Sequence, residues 1–404
     1  MADGAAARSD EDVRLFGFAT RATFAAALSW IGDRAKLLAP ETIPVCCAAH
    51  RVLAAPILGP IDRPDADRAA RDGYAVRAAD TEAADSYTPL LLRVTDGSAS
   101  QLGDATIIAS GAAMPAGTDA VLPFEMAVHQ NGAQQDGALA VTAQAAPGAW
   151  VRRRGSEIQA GREVLAAGRR LRAGDPAFLA ALGVPEVDVV RRPTVAVVTI
   201  GPKSGDADLL GPTLLARIGR DGGCGTRASI RGELQAMLAD AAAGADLVIM
   251  AGRSGCGADD DAAPALRAAG GTLALHGIAL QPGESTGLGQ LGRAMVLLLP
   301  GDPPSCLAAY EMLAARAIRR SGGVAEPDLV PMVPLDRKIV SAIGVVELVF
   351  VRLRDRRATP LAADSLAPLH ADGYVVVPET SEGFAAGSLV PVYPFDTAGW
   401  TTLP

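Results

Sequence analysis

The sequence predicts a multidomain α/β plus β protein, with one doubly wound α/β domain, a smaller β-rich domain and a C-terminal β domain. Three observations carry this prediction. Between 193 and 320, apolar strand-like runs such as PTVAVVTIG (193–201) and ADLVIMA (245–251) alternate with helical stretches, the pattern of parallel strands joined by right-handed crossovers. From about 60 to 148 the texture changes to short apolar runs broken by Gly, Asp and Pro, and after SGG (321–323) strand-like alternation returns in VVELVFVRL and GYVVVPE. The 404 residues exceed what one ordinary core fills, so roughly two to four domains are expected.

Taken in order, a polar tail leads into an amphipathic helix over 13–38. AAHRVLAAPILGP (48–60) reads as a helix passing into an extended, Pro-bounded link. Beyond the β-rich stretch, a helix is expected at 175–182, with Asp175 as its N-cap and Pro176 in the first turn. The buried parallel strand at 193–201 follows. Then come a helix at 229–243, a strand at 245–251, a helix at 259–269, a short strand near 272–280, a strand at 294–299 and a helix at 303–320.

Composition excludes several functions. Hydrophobic residues make up 49% and charged residues 20%, which argues for folded domains rather than a disordered chain. Aromatics are only 4%, so the cores must be built from Val, Leu, Ile and Ala. The net charge of −8 offers no general basic field for nucleic acid or an anionic membrane. Clusters such as VRRRG (151–155) and RDRR (354–357) read most simply as solvated faces. The apolar runs fall short of a membrane span. Five cysteines and four histidines show no ligand spacing. With an acidic, polar start (MADGAAARSDEDVR) in place of a secretory leader, they point to reduced thiols in a cytoplasmic protein.

In doubly wound folds ligands sit at the carboxyl ends of the strands, so the loops after 201, 251 and 299 matter most. In VIMAGRSGCGADDD (248–261), Gly252, Gly255 and Gly257 lie between a strand and a helix. Their amides and the helix start suit a phosphate or other oxyanion; the plain alternative is a tight turn that needs positive φ. Asp259, Asp260 and Asp261 suit a first helical turn. Their functional reading is to hold a divalent cation or accept from a heterocycle, with Mg²⁺ reconciling anion and carboxylates. LLLPGDPPS (297–305) brings Pro300, Gly301, Asp302 and Ser305 to the same sheet end. RPDADRAARDGYAV (63–76) and IASGAAMPAGTDAVLPFE (108–125) are rich in turn residues and by themselves name no reaction.

Four blocks in order carry a family resemblance: Asp72-Gly73-Tyr74-Ala75-Val76, Ser110-Gly111-Ala112-Ala113-Met114-Pro115 through Asp119-Ala120-Val121, Arg154-Gly155-Ser156-Glu157-Ile158, and Leu299-Pro300-Gly301-Asp302-Pro303-Pro304-Ser305. From about 13 to 396 the chain resembles the MoeA/gephyrin molybdopterin molybdenumtransferases, as a divergent member. The resemblance implies an elongated four-domain protomer: a discontinuous linker and dimerisation domain (13–58 and 149–190), a small β-rich domain (59–148), a molybdopterin-binding α/β domain (191–325) and a C-terminal β domain (326–404). It further implies a homodimer whose site lies between the α/β domain of one copy and the β-rich domain of the other. There molybdate would enter adenylylated molybdopterin with Mg²⁺ present and AMP released.

Carried over block by block, Asp72, Glu157 and Asp175 would be the catalytic and Mg²⁺-binding carboxylates, and Ser110 a hydroxyl donor to the oxyanion. Gly252, Ser254, Gly255, Gly257, Asp260, Pro300, Gly301, Asp302, Ser305 and Ser365 would line the pterin site. Some positions depart from the family pattern. An acidic pair is replaced in Thr199-Ile200-Gly201-Pro202-Lys203-Ser204, a lysine by Glu284 in Pro282-Gly283-Glu284-Ser285, the preceding lysine by Gln281, and a glycine by Arg253. Exchanging a lysine that meets phosphate for a glutamate forfeits a charge-assisted contact of about 1.5–3 kcal/mol. Lys203 and Arg253 are expected to restore part of the positive charge in the same cleft. These departures leave an alternative, a non-catalytic relative acting as a pterin-binding carrier or scaffold.

Overall fold

The computed structural model describes residues 12–96, 101–129, 138–200, 208–228, 233–326 and 330–395. They form two compact units, Ile43–Ala49 with Ala55–Val187, and Met1–Thr42 with His50–Ala54 and Asp188–Pro404.

Helix α1, Phe24–Arg34, is shorter than the expected 13–38. Thr23 stops it at the start, its hydroxyl accepting the Ala26 N–H at 3.1 Å. Just before it, Ala22 forms an isolated parallel bridge with Ile278, and this extended backbone cannot also be helical. The helix expected from residue 48 is absent too. Val52 and Leu53, adjacent and both buried, lie extended: the Val52 carbonyl accepts from Val190 N–H at 2.8 Å and Leu53 bridges Val189. Two consecutive buried side chains suit a strand-like segment covered on both faces better than a helix with one apolar stripe.

The unit containing residues 55–187 is built on β1 (Gly73–Val76), β2 (Leu90–Thr95), β3 (Asp104–Ile108), β4 (Ala120–Pro123), β5 (Ala127–His129) and β6 (Ala138–Val141). They pair in the order β4-β1-β3-β2-β6-β5. Strand β1 is covered on both faces, Tyr74 and Val76 facing the main core with Leu92, Leu122 and Leu139, and Ala75 facing Ile108 and Val121. Asp72-Gly73 reads as a turn in isolation, yet Gly73 is the first residue of this strand. A Cβ there would stand 2.2 Å from the Leu122 carbonyl oxygen, so close strand approach explains the glycine. Helix α2, Asp175–Ala181, is capped by Gly174, so Asp175 is its first residue and not its N-cap. The Asp175 carboxylate turns back instead, accepting from Arg172 N–H at 2.9 Å.

In the other unit, β7 (Thr194–Thr199), α3 (Leu210–Arg220), β8 (Cys224–Arg227), α4 (Leu234–Ala243), β9 (Leu247–Ala251), α5 (Ala262–Ala268), β10 (Thr272–His276), β11 (Gly287–Leu291) and β12 (Ala294–Leu299) form an α/β layer. The strand order is β8-β7-β9-β12-β11-β10. The first four strands are parallel and β11 and β10 are antiparallel additions. Every residue of β9 and β12 is buried, which is why these strands read as unbroken apolar runs. The helix α3 was not expected; Leu210, Leu214 and Ile218, four apart and buried, form its apolar stripe.

The α/β layer's final helix follows β12 from Pro303 to Ser321, with a π turn at Tyr310–Ala314. The same unit carries the C-terminal β part: β13 (Val346–Arg354), β14 (Arg357–Pro360) and β15 (Gly373–Val377). Among the described residues no helix is long and apolar enough to cross a membrane.

The start of the α/β sheet is fastened by Asp246. Its carboxylate accepts from Arg191 at 2.8 and 2.9 Å and from the Thr194 amide and hydroxyl at 2.8 and 2.9 Å. Burial pushes its pKa up, but Arg191 and Thr194 outweigh burial and leave it lowered. Asp246→Ala is expected to cost about 2 kcal/mol of stability, measured by denaturant unfolding at pH 7. Because the folded-state pKa is depressed, this contribution is present above the ordinary carboxylate range and fades as pH falls through it. The gap between wild type and variant should therefore narrow in acid.

Candidate functional site

The best-built candidate lies at the carboxyl ends of β9 and β12. Gly252 follows β9 with φ +108, and a Cβ there would stand 2.7 Å from the Ile200 carbonyl oxygen. Its amide donates to Leu299 O at 2.9 Å, while a Cβ on Gly301 would come within 3.2 Å of Gly252 Cα. The two loops are therefore one packed structure. A third segment joins them, since Ser254 and Ser285 hydroxyls meet at 3.1 Å and the missing Cβ of Gly283 would lie 3.3 Å from Ser305 O.

Inside the glycine loop the acids act on the loop itself. Asp260 Oδ2 accepts the Gly257 N–H at 2.6 Å and stands 2.7 Å from where a Gly255 Cβ would be. One of the amides expected to meet an anion thus already holds an internal carboxylate. Arg253, in the left-handed region at φ 58, donates to Asp259 O at 2.8 Å and to Asp261 Oδ2 at 2.6 Å. Its charge is largely met within the loop, which corrects the expectation that it replaces a missing lysine. Lys203 lies outside the described residues.

Ser254 is buried, so its hydroxyl joins two loops rather than facing solvent. Asp302 caps the final helix, Oδ2 accepting from Ser305 N–H at 3.1 Å. Pro300 is buried, whereas Gly301 and Asp302 are exposed. Ser365 is exposed in the turn before the short helix Ala367–His370.

Two neighbours of this loop escaped sequence reasoning. His276, at the end of β10, places Nε2 2.9 Å from Ser254 O; since a carbonyl only accepts, Nε2 carries the proton. Burial pulls the His276 pKa down and keeps the ring neutral at pH 7. The segment before α1 packs beside it: Leu15 N–H donates to Cys256 O at 2.7 Å, and Phe18 meets the His276 ring edge-on at 5.0 Å. Together they close a shallow recess lined by Arg14, Arg253, Asp260, Arg267 and His276. A histidine without a ligand spacing gave no sequence cue.

In the unit containing residues 55–187, Asp72 and Ser110 come together at one end of the sheet. Asp72 is exposed and its Oδ1 accepts the Ser110 N–H at 2.8 Å; the Ser110 hydroxyl donates to Ala70 O at 3.3 Å. Glu157 is exposed, 3.5 Å from Arg152. Asp175 is half-buried and already engaged, by Arg172 N–H and by Arg169 at 3.0 Å, contacts that hold its carboxyl below the usual range. Among the described residues no group of three His, Cys, Asp or Glu side chains is placed to hold a metal ion.

Comparison with known proteins agrees with this architecture. Residues 22–183 match the family described as the MoeA N-terminal region (domain I and II), and residues 228–320 match a probable molybdopterin binding domain. The chain is 30% identical over 353 residues to molybdopterin molybdenumtransferase 1 of Mycobacterium tuberculosis, spanning 76% of this chain and 79% of that protein. It is 30% identical over 302 residues to the molybdopterin molybdenumtransferase of Synechococcus elongatus, covering 68% and 73% respectively. A solved molybdopterin biosynthesis MoeA protein from Pyrococcus horikoshii superposes with a TM-score of 0.79 at 30% identity, covering 93% of this chain and 100% of that one.

Proposed function

We propose a function from the premise that this chain belongs to the MoeA family and so to molybdenum cofactor biosynthesis. The proposed reaction is that of a molybdopterin molybdenumtransferase: molybdate enters adenylylated molybdopterin and AMP leaves. The observation that carries it is the fusion of the loops after β9 and β12 through the Gly252 N–H to Leu299 O bond of 2.9 Å. It supports a ligand site where open α/β sheets bind ligands. A carrier or scaffold without activity is less well supported, because the relatives that match over most of the chain are named as transferases.

In this reading the protein is a cytoplasmic homodimer, its four domains divided as the family resemblance implies. Asp72 and Ser110 of one copy would serve the glycine loop of the other. Ser254 and Asp260 shape that loop; Gly252, Gly255, Pro300, Gly301, Asp302, Ser305 and Ser365 would border the pterin.

The donor chemistry fits Mg²⁺ held by few protein ligands. This ion commonly binds through one or two carboxylates plus waters and substrate phosphate oxygens, and the exposed carboxylates of Asp72 and Glu157 suit that role. Asp175, with Arg169 and Arg172 already on its carboxylate, suits the support of its helix instead. When bound, Mg²⁺ would neutralise phosphate charge; the chain's own groups orient the substrate and fix the loops.

The test is to incubate the purified chain with adenylylated molybdopterin, molybdate and Mg²⁺ and to follow AMP. Release that stops on chelation of Mg²⁺ is the expected result. Retained pterin binding without AMP release would overturn the transferase reading in favour of a carrier.

A further inference from the structure

Trp150 occupies an unusual position for a large aromatic residue. It is 47% exposed and sits in the left-handed region at φ 54. Bulky residues rarely adopt that conformation, and they keep it only where the surrounding structure fixes them, often at ligand sites. Here the fixing contacts are visible: the Trp150 carbonyl accepts the Ala70 N–H at 2.7 Å, and Val151 pairs with Ala69. Core packing does not account for the side chain, because half of it remains in solvent.

The neighbouring groups give it a chemistry. The Arg71 guanidinium lies over the indole, 4.8 Å from the ring centroid, and donates to Glu125 Oε1 at 2.7 Å. Glu125 sits on the short turn Phe124–Met126, which Phe124 anchors by meeting Tyr74 edge-on at 5.1 Å. The residue after Arg71 is Asp72, bonded to Ser110. An open aromatic face, a cation already stacked on the ring, and an exposed carboxylate thus lie next to the Asp72 and Ser110 pair.

We propose that Trp150 and Arg71 form a stacking shelf for a fused nitrogen heterocycle of the substrate, with Glu125 accepting from its exocyclic amino group. The shelf deepens the transferase reading and rests on the placing of Asp72 at the substrate. Adenine and pterin both have this chemistry, a flat bicyclic ring carrying an amine. Stacking on an aromatic face tolerates either.

The test titrates the full chain calorimetrically with AMP alone and with free pterin alone, for wild type, Trp150→Ala and Trp150→Phe. Trp150→Ala should weaken the ring that binds by about tenfold, and Trp150→Phe should stay close to wild type because it keeps a π-face. The arm that responds identifies the ring. Equal affinity in Trp150→Ala, equal loss in both variants, or no wild-type binding of either probe would overturn the shelf. Binding through Trp150 without AMP release from the full substrate would sink the transferase reading alone. Turnover with a KM unmoved by Trp150→Ala would sink the shelf alone.

Discussion

Asp72→Asn is expected to lower kcat/KM for AMP release on the order of 100-fold, the scale seen when one preorganised electrostatic contact is lost from a reacting centre, while leaving the fold unchanged. The substitution separates charge from shape. Asparagine keeps an Oδ1 that can accept the Ser110 N–H, which Asp72 holds at 2.8 Å, and Asp72 is exposed, so no buried partner is stranded. Unfolding free energy should move by less than about 0.5 kcal/mol. What disappears is the negative charge offered to Mg²⁺ or to the reacting groups, so the Mg²⁺ concentration for half-maximal rate should rise as well. Wild-type turnover in this variant would remove Asp72 from the machinery. A large loss of stability would show instead that the Asp72 to Ser110 contact is structural.

The parts of this molecule that could be read from its sequence are those fixed by burial. Strand β9 is buried at every residue, and so is β12; continuous apolar runs of that length have few other homes in a mixed α/β chain. Helix α3 was equally available in principle, since Leu210, Leu214 and Ile218 recur at a helical interval, but Gly211 and Pro212 near its start disguised it as a loop. The site was less legible because its geometry depends on loop closure. Nothing in GRSGCGADDD states that Asp260 will fold back onto the Gly257 amide, or that Arg253 will spend its guanidinium on Asp261. The run suggested anion amides and cation carboxylates, whereas in the folded loop acids, amides and arginine largely satisfy one another. Likewise Ser110 meets Asp72 across 38 residues, a pairing set by β1 lying beside β3.

Gly252→Ala should do the most damage to the α/β unit, costing about 3 kcal/mol or more of stability and abolishing ligand binding there. Two independent costs meet at this position. The backbone stands at φ +108, a conformation that alanine adopts only under strain. The added Cβ would also lie 2.7 Å from the Ile200 carbonyl oxygen, which is backbone paired through its own amide to Ala251 at 2.9 Å and so cannot swing aside as a side chain would. Relief requires moving either the end of β9 or the segment after β7. Either movement pulls the Gly252 amide from Leu299 O and opens the contact with Gly301, the two interactions that make one site from two loops. Gly270→Ala provides the comparison: it shares a positive φ of 84, but nothing lies within 4 Å of its missing Cβ, so it should show the conformational cost without the collision. Similar unfolding free energies for the two variants would mean that the close approach of Ile200 contributes nothing. Sterics would then not be what demands a glycine at the end of β9, and the two loops could be joined there by a residue with a side chain.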